Sequence, residues 1–220
     1  MNRIQVAKVI DHTLLKAFAS EEEMKALCEE AVRFSFRTVS VNPVWVAFCK
    51  KQLQGSSVGI DACIGFPLGA NTAHMKVEET RDAISNGATE IDMVINIGAV
   101  KSGYGSYVER EIAAVVKAAG TAPVKVILET SYLTHDEKVE VCRMSVRAGA
   151  AYVKTSTGFG TRGATVDDVR LMRETVGDRL GVKAAGGIRS YGDVMRMLRA
   201  GATRIGTSAG VAIVEDAPGS

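Results

Sequence analysis

The sequence predicts an α/β protein, a single (β/α)8 barrel of the TIM-barrel class with a short N-terminal helix. Three observations predict this fold. Short segments rich in β-branched residues alternate with longer amphipathic segments along the 220 residues. The predicted strands begin about every 20–35 residues, which is the length of one βα unit. No linker, low-complexity tract or shift of composition interrupts the pattern, so we expect residues 1–220 to form one domain.

Eight segments are predicted strands because they combine β-branched or aromatic residues with flanking turn residues. They are residues 9–13, 38–42, 59–65, 90–96, 124–129, 152–156, 182–185 and 204–207. An open, doubly wound sheet is the alternative architecture, but such a sheet usually carries its glycine-rich loop after the first strand. In this chain the glycine-rich loops follow the last two strands, which favours the barrel.

Helices are predicted between these strands by apolar residues at helical spacing. They cover residues 20–33, 71–86, 107–119, 134–148, 166–176 and 190–200. Ser20 followed by Glu23 is typical of a capping box at a helix start. Glycines that stop a helix before the next strand recur at Gly87, Gly149 and Gly201. The last five residues, 216–220, are predicted to be a frayed tail.

The composition excludes several classes of function. With 46% hydrophobic and 24% charged residues, the chain resembles an ordinary globular protein. Its net charge is +2 with dispersed basic residues and only 5% aromatic residues, so a nucleic-acid surface is not indicated. No apolar run approaches the roughly 18 residues of a membrane span, and no signal peptide is recognisable. We therefore expect a cytoplasmic protein without a membrane partner.

Cysteine and histidine spacing gives no indication of a metal site. The cysteines lie far apart and form no C-x-x-C pair, and the histidines form no H-x-x-H or H-x-x-x-H pair. Free thiols in a reducing compartment are therefore expected for Cys28, Cys49, Cys63 and Cys142.

Two lysines occupy matching positions at the carboxyl ends of predicted strands. Lys154 and Lys183 each follow strand residues and run directly into Ser, Thr, Ala or Gly. Burying an isolated ammonium costs several kcal/mol, and two ammonium groups in one cavity would lower each other's pKa. A lysine that is partly neutral near pH 7 is a nucleophile toward carbonyl groups. Ordinary ion pairing of each lysine is the alternative, which their matching placement disfavours.

Acidic residues in apolar strands provide candidate partners for these lysines. Asp11 and Asp92 require a cation or a catalytic task, because a buried carboxylate without a partner is costly. We predict the pairs Asp11–Lys183 and Asp92–Lys154, and a purely structural ion-pair network is the alternative. Lys125 and Glu129, on one parity of the fifth predicted strand, are candidate further polar members of the interior. Lys125 is alternatively a competing nucleophile, but it lies near the start of its strand and therefore away from the catalytic end of a barrel.

Glycine-rich loops follow the seventh and eighth predicted strands, where barrels usually bind phosphate. Glycines let the backbone approach an anion and N–H groups donate to it. The predicted phosphate cradle is Gly186, Gly187, Gly206 and Ser208. The alternative is that these glycines only form tight turns. Without a G-x-x-x-x-G-K-[ST] motif, a nucleoside triphosphate is not implied.

Seven motifs, in order between residue 10 and about residue 210, resemble the class I 2-deoxyribose-5-phosphate aldolase family. They are Ile10-Asp-His-Thr-Leu-Leu-Lys16, Val39-Ser-Val-Asn-Pro43, Ile64-Gly-Phe-Pro-Leu-Gly69, Glu90-Ile-Asp-Met-Val94, Val126-Ile-Leu-Glu-Thr130, Val153-Lys-Thr-Ser-Thr-Gly-Phe159 and Val182-Lys-Ala-Ala-Gly-Gly-Ile-Arg189. Many members of the family have Cys where this chain has Ser40.

The resemblance implies roles for individual residues. Lys154 corresponds to the Schiff-base lysine, Lys183 to the neighbour that lowers its pKa, and Asp92 to the proton-relay carboxylate. Asp11 would pair with Lys183, and Thr13 would approach the substrate hydroxyls. The substrate-binding set implied by the resemblance and the loops together is Asp11, Thr13, Ser40, Thr155, Gly158, Gly186, Gly187, Gly206 and Ser208.

The resemblance also implies an activity: reversible cleavage of 2-deoxy-D-ribose 5-phosphate to acetaldehyde and D-glyceraldehyde 3-phosphate, in deoxyribose-phosphate catabolism. It implies a homodimer that needs no metal or cofactor, because the protonated imine is the electron sink. Two alternatives remain open at this point. One is another Schiff-base barrel enzyme such as a transaldolase-like enzyme, and the other is a non-catalytic barrel that binds sugar phosphates.

Overall fold

Eight parallel strands form the centre of the protein in a computed structural model that describes residues 1–219. The strands are hydrogen-bonded in sequence order, and β8 pairs with β1, so the sheet is a closed barrel. Their bounds are β1 Ile10–Leu14, β2 Thr38–Val41, β3 Gly59–Ile64, β4 Glu90–Val94, β5 Val124–Ile127, β6 Tyr152–Lys154, β7 Gly181–Ala185 and β8 Arg204–Thr207. The predicted (β/α)8 barrel is therefore confirmed.

Helices surround the barrel and cover its outer face. They are α1 Arg3–Ala7, α2 Glu21–Phe34, α3 Val46–Gln52, α4 Ala73–Asn86, α5 Ile97–Lys101, α6 Gly105–Ala119, α7 His135–Arg147, α8 Val166–Val176, α9 Tyr191–Arg199 and α10 Gly210–Asp216. The six longer helices predicted between the strands lie within two residues of their observed bounds. The sequence did not delimit α3, α5 and α10, because helices of five to seven residues carry too few turns to give a clear apolar period.

Local capping fixes where the helices begin. At α2, the Ser20 side chain accepts from the Glu23 backbone N–H at 3.3 Å, and the Glu23 carboxylate accepts from the Ser20 N–H at 2.9 Å. This reciprocal pair is the predicted capping box. Among residues 1–219, no helix combines the length and the apolar character needed to cross a membrane.

Strand alternation separates an apolar outer face from a polar interior. In β4, Ile91 and Met93 belong to the hydrophobic core between strands and helices. Glu90 and Asp92, on the other parity, are buried as well and point into the barrel, where they contact Lys125. Because both faces of a parallel barrel strand are covered, every residue of β4 is buried whatever its polarity.

The predicted frayed tail is wrong as far as Pro218. The Arg3 backbone N–H donates to the Pro218 carbonyl at 3.2 Å, and the Arg3 side chain donates to the Ala217 carbonyl at 3.1 Å. Ala217 itself is buried against the core. This end of the chain is therefore held by α1, and Ser220 lies outside the described residues.

Candidate active site

Eight charged side chains meet inside the barrel, and we refer to them as the charge cluster. All are at most 5% exposed, and all lie on the inward parity of their strands. Buried charges are tolerated only when they are paired, and here four carboxylates face four cations. The members of the cluster are Asp11, Asp61, Glu90, Asp92, Lys125, Lys154, Lys183 and Arg204.

Lys154 is the member of the cluster that reaches open space. Its Nζ donates to Asp92 Oδ2 at 2.6 Å, and among residues 1–219 this is its only carboxylate partner. The same side chain lines a cavity at the carboxyl ends of the strands. An amine that is held by one anion and open to a cavity on its other side can reach a carbonyl carbon. The predicted pair Asp92–Lys154 is thereby confirmed.

Lys183 lies directly beside Lys154 in the barrel, because the two are register partners in β6 and β7. Its Nζ donates to Asp61 at 2.9 Å and to Asp92 Oδ2 at 2.7 Å, and it forms an ion pair with Asp11 at 2.5 Å. The predicted pair Asp11–Lys183 is thereby confirmed. Burial would lower the pKa of Lys183, but the three carboxylates outweigh it and hold that pKa well above its ordinary value. The expectation that two neighbouring lysines lower each other's pKa is therefore wrong for Lys183.

Lys125 is also held by three carboxylates, below the level of Lys154. Its Nζ donates to Asp61 Oδ1 at 2.9 Å and to Asp92 Oδ1 at 2.8 Å, and lies 2.8 Å from Glu90 Oε2. Burial would lower the pKa of Lys125, but Asp61 and Asp92 raise it above its ordinary value. Lys125 is fully buried and absent from the cavity wall of the described chain, so this geometry does not favour it as a nucleophile.

The carboxylates of the cluster differ in how readily they take up a proton. Burial would raise the pKa of Asp92, but Lys125, Lys154 and Lys183 hold it well below the ordinary value. Burial likewise opposes the lowering at Asp11, where Lys183 and other cations bring the pKa to about 2. At Asp61 the opposite holds, because burial and the neighbouring Asp92 charge together raise the pKa.

The cavity beside Lys154 has a volume of about 250 Å³ and is walled by the loops after β1, β6, β7 and β8. It brings together six of the predicted substrate-binding residues. These are Thr13, Gly158, Gly186, Gly187, Gly206 and Ser208. Two exposed cations that the sequence analysis did not select, Lys16 and Arg189, line the same cavity.

At two of these positions only glycine fits, because another atom lies close to the backbone or because φ is positive. Gly186 has a φ of 87°, and a Cβ there would lie 3.0 Å from the Gly163 Cα. A Cβ at Gly206 would lie 3.1 Å from the Lys183 side chain, so this glycine leaves room for Lys183 in the barrel. The second glycine therefore serves the charge cluster as well as the loop.

Three predicted substrate-binding residues, Asp11, Ser40 and Thr155, are buried and are absent from the cavity wall of the described chain. Asp11 lies lower in the barrel, where its Oδ1 accepts from Arg204 at 2.6 Å. The Ser40 hydroxyl donates to Asp61 Oδ2 at 2.9 Å. The Thr155 hydroxyl donates to the Ala185 carbonyl at 3.1 Å and so ties the start of the loop after β6 to the end of β7. These three residues therefore contact the side chains and backbone that form the site, and not the cavity itself.

Glu129 supports the loop that follows Lys154. Its carboxylate accepts from the backbone N–H of Thr157 at 3.1 Å and also from the Thr157 hydroxyl. Thr157 and Phe159 line the cavity, so the Glu129 carboxylate holds in place the loop that forms this wall of the cavity. The sequence predicts Glu129 as a polar member of the interior, on the same strand parity as Lys125, but its contact with the loop after β6 was not predicted.

Three members of the charge cluster were also missed by the sequence analysis: Asp61, Glu90 and Arg204. Asp61 stands in the otherwise apolar strand β3, which is the same signal that identified Asp92. Glu90 and Arg204 begin their strands, and charged residues at strand starts are common on protein surfaces, so the sequence carries no comparable signal for them.

Comparison with known proteins gives consistent matches over nearly the whole chain. Residues 5–216 match the model of the DeoC/LacD family aldolases. A deoxyribose-phosphate aldolase from Streptococcus sanguinis is 58% identical over 212 residues, which cover 96% of each chain. One from Geobacillus is 57% identical, covering 96% of this chain and 95% of the relative. A deoxyribose phosphate aldolase from Aeropyrum pernix, described as having a unique tetrameric structure, superposes with a TM-score of 0.91 at 36% identity, covering 97% of this chain and 91% of the other.

Proposed function

This chain belongs to the DeoC/LacD family of aldolases, and we propose that it cleaves 2-deoxy-D-ribose 5-phosphate reversibly to acetaldehyde and D-glyceraldehyde 3-phosphate. One observation carries the proposal. Three lysines are buried in one charge cluster, yet among residues 1–219 Lys154 alone of these three lines the cavity and has a single carboxylate partner. That arrangement is what a Schiff-base nucleophile requires.

The cleavage reaction begins when the neutral amine of Lys154 attacks C1 of the open-chain sugar. Loss of water gives a protonated imine, which withdraws electrons from the C2–C3 bond. The C3 hydroxyl then loses its proton, the C2–C3 bond breaks, and its electron pair forms an enamine while C3 becomes the aldehyde of D-glyceraldehyde 3-phosphate. Protonation of the enamine at C2 and hydrolysis of the imine release acetaldehyde and regenerate Lys154.

Asp92 is the group placed to move protons in this sequence. Its Oδ2 is 2.6 Å from Lys154 Nζ, so it can take the proton that the amine must lose and, with a water molecule, return one to the enamine. Lys183 shares the same oxygen at 2.7 Å and keeps the carboxylate ionised. Because the protonated imine accepts the electrons, the reaction needs no metal or cofactor.

The substrate's phosphate would bind at the loops after β7 and β8. Gly186, Gly187, Gly206 and Ser208 form this side of the cavity, and Lys16 and Arg189 add positive charge. Backbone N–H groups near glycines together with cations are the usual environment of a bound phosphate in a barrel. A phosphate bound there would leave C1, at the other end of the sugar, to react with Lys154 in the same cavity.

Reductive trapping tests the nucleophile. The protein is incubated with acetaldehyde and borohydride, and the adduct is located by mass spectrometry. We expect it on Lys154 and we expect Lys154→Arg, which keeps the charge but forms no imine, to abolish both trapping and cleavage. Trapping that persists in this variant, or that maps to Lys125, contradicts the assignment. Transfer of dihydroxyacetone in place of acetaldehyde would instead indicate a transaldolase-like enzyme.

We further propose that residues 1–220 act as one aldolase domain in the cytoplasm, where sugar phosphates are metabolised, and that the protein is a homodimer. The relative from Aeropyrum pernix is described as tetrameric, so a tetramer is the alternative to the proposed dimer. Light scattering coupled to size-exclusion chromatography measures the mass and decides between the two.

A further inference from the structure

Asp61 holds a central place in the charge cluster that the proposed mechanism does not use. It lies on β3, is fully buried, and accepts hydrogen bonds from three side chains on three other strands. Its Oδ1 accepts from Lys125 at 2.9 Å, and its Oδ2 accepts from Lys183 at 2.9 Å and from Ser40 at 2.9 Å. Asp61 thereby links Lys183, which lies beside Lys154, with Lys125, which lies below it.

The geometry around Lys183 explains why this link matters for the site. Three carboxylates surround its Nζ, from Asp11 on β1, Asp61 on β3 and Asp92 on β4. Three contacts from three strands restrict the position of an ammonium group more than two contacts would. Lys183 in turn contacts the same Asp92 oxygen as Lys154, so a shift of Lys183 reaches the reacting amine through one shared atom.

Asp61 also affects the balance of charge around Lys154. The charged or titratable side chains that face Asp61, or join it through one shared partner, come from seven strands: Asp11, Cys63, Glu90, Asp92, Lys125, Lys154, Lys183 and Arg204. With every group ionised, four carboxylates balance four cations. Removing the Asp61 charge leaves an excess of one positive charge, which favours loss of a proton from a lysine.

We propose that Asp61 is a positioning residue for the aldolase reaction: it anchors Lys183 beside Lys154 and Lys125 beneath it, and its negative charge contributes to the charge balance around the nucleophile. This inference rests on the proposed function. Asp61 lies on β3, which supplies neither the nucleophile nor the proton relay. It would act on the reaction through Lys183.

The variant Asp61→Asn tests the proposal through the pH dependence of kcat/KM for cleavage of 2-deoxy-D-ribose 5-phosphate. Loss of the carboxylate destabilises the ammonium forms nearby, so the acid limb of the profile should move to lower pH by about one pH unit. The matched control is Glu111→Gln, which removes an equally buried carboxylate from Lys76, outside the cluster. The control should lose stability without any shift of the acid limb.

An acid limb in Asp61→Asn that coincides with that of the natural protein would make Asp61 merely structural and overturn the proposal. Should Asp61→Asn fail to fold, Asp61→Thr removes the same charge with a side chain of similar size, presents no N–H group to the lysines, and should shift the limb equally. Failure of both variants to fold would assign Asp61 to the fold alone and also overturn the proposal. Cleavage and trapping by the natural protein are measured alongside, and their absence would reject the proposed function instead.

Discussion

At the scale of single residues, three lysines in one barrel differ in how many anions hold them. Lys125 and Lys183 each contact three carboxylates, while Lys154 contacts one and faces the cavity. Each added carboxylate stabilises the ammonium form and restricts its position. The same residue type is therefore a fixed cation at two positions and, in the proposed mechanism, the nucleophile at the third.

Glu129 provides a prediction at this scale. Glu129→Gln removes the charge from an acceptor of the Thr157 N–H and hydroxyl, so the loop that carries Thr157 and Phe159 is held less firmly. We expect KM for the phosphorylated sugar to rise about fivefold, which corresponds to about 1 kcal/mol, with a smaller change in kcat. Steady-state kinetics measure both. Glu111→Gln is the matched control, and equal losses in the two variants would mean that only stability has changed.

At the scale of elements, one glycine near the end of β8 serves both the cavity and the charge cluster. Gly206 belongs to β8, lines the cavity and leaves space for the Lys183 side chain. The proposed phosphate side of the site and the charge cluster therefore both depend on the end of β8. A change in this loop can alter either part, so a test of phosphate binding must avoid the glycine.

Ser208 allows such a test, because it is exposed and lines the cavity. Ser208→Asp places a negative charge where the phosphate is expected, and like charges repel. We expect KM for 2-deoxy-D-ribose 5-phosphate to rise at least about tenfold, or about 1.4 kcal/mol, and the rate with unphosphorylated 2-deoxyribose to change little. Thr121→Asp, an equal charge at an exposed site in the α6–β5 loop, is the control. Equal losses with both sugars would place the phosphate elsewhere.

Element boundaries and the principal pair of lysines were predictable from the sequence because they depend on local signals. Strand alternation, capping residues and helix-stopping glycines identified all eight strands and the six longer helices. Lys154 was found from its place at a strand end. The partners of Lys183 were only partly predicted: Asp11 was identified, whereas Asp61, which carries the same local signal as Asp92, was missed. Arg204 and Glu90 gave no local signal at all.

At the scale of the whole molecule, the charge cluster and its hydroxyl partners draw on every strand of the barrel. Ser40 on β2 completes the set by donating to Asp61, and each of the other seven strands supplies at least one charged member. Its ion pairs join strands that are not neighbours in the sheet, such as Asp61 on β3 with Lys183 on β7. The stability of the barrel therefore depends on the ionisation of its interior.

Acid unfolding tests this dependence. The pKa of Asp11 falls from its ordinary value of 3.8 to about 2 in the folded protein. Ionised Asp11 therefore contributes stability that is present above pH 3.8 and is lost as the pH falls toward 2, about 2 kcal/mol in all. Asp92 acts in the same direction. The pKa of Asp61 is raised, so its ionisation lowers the stability of the folded protein, but only above pH 3.8. It therefore does not mask the loss of the Asp11 contribution below that pH.

Urea unfolding at pH 4 and at pH 2 measures the effect. We expect the natural protein to lose the Asp11 contribution between these values, and Asp11→Asn, although less stable at pH 4, to lose about 2 kcal/mol less over the same interval. Identical losses in the two proteins would show that Asp11 does not contribute to the acid transition.

The distribution of the charge cluster over seven of the eight strands also bears on how the protein can assemble. If the chain were divided after β4, one part would hold Asp11, Asp61, Glu90 and Asp92 and the other Lys125, Lys154, Lys183 and Arg204. The first half carries only the acids of the cluster and the second only its bases. Neither half could close its interior by itself without enclosing four like charges, whereas the two together are neutral. The barrel interior thus combines an acidic half and a basic half, which the single chain keeps together.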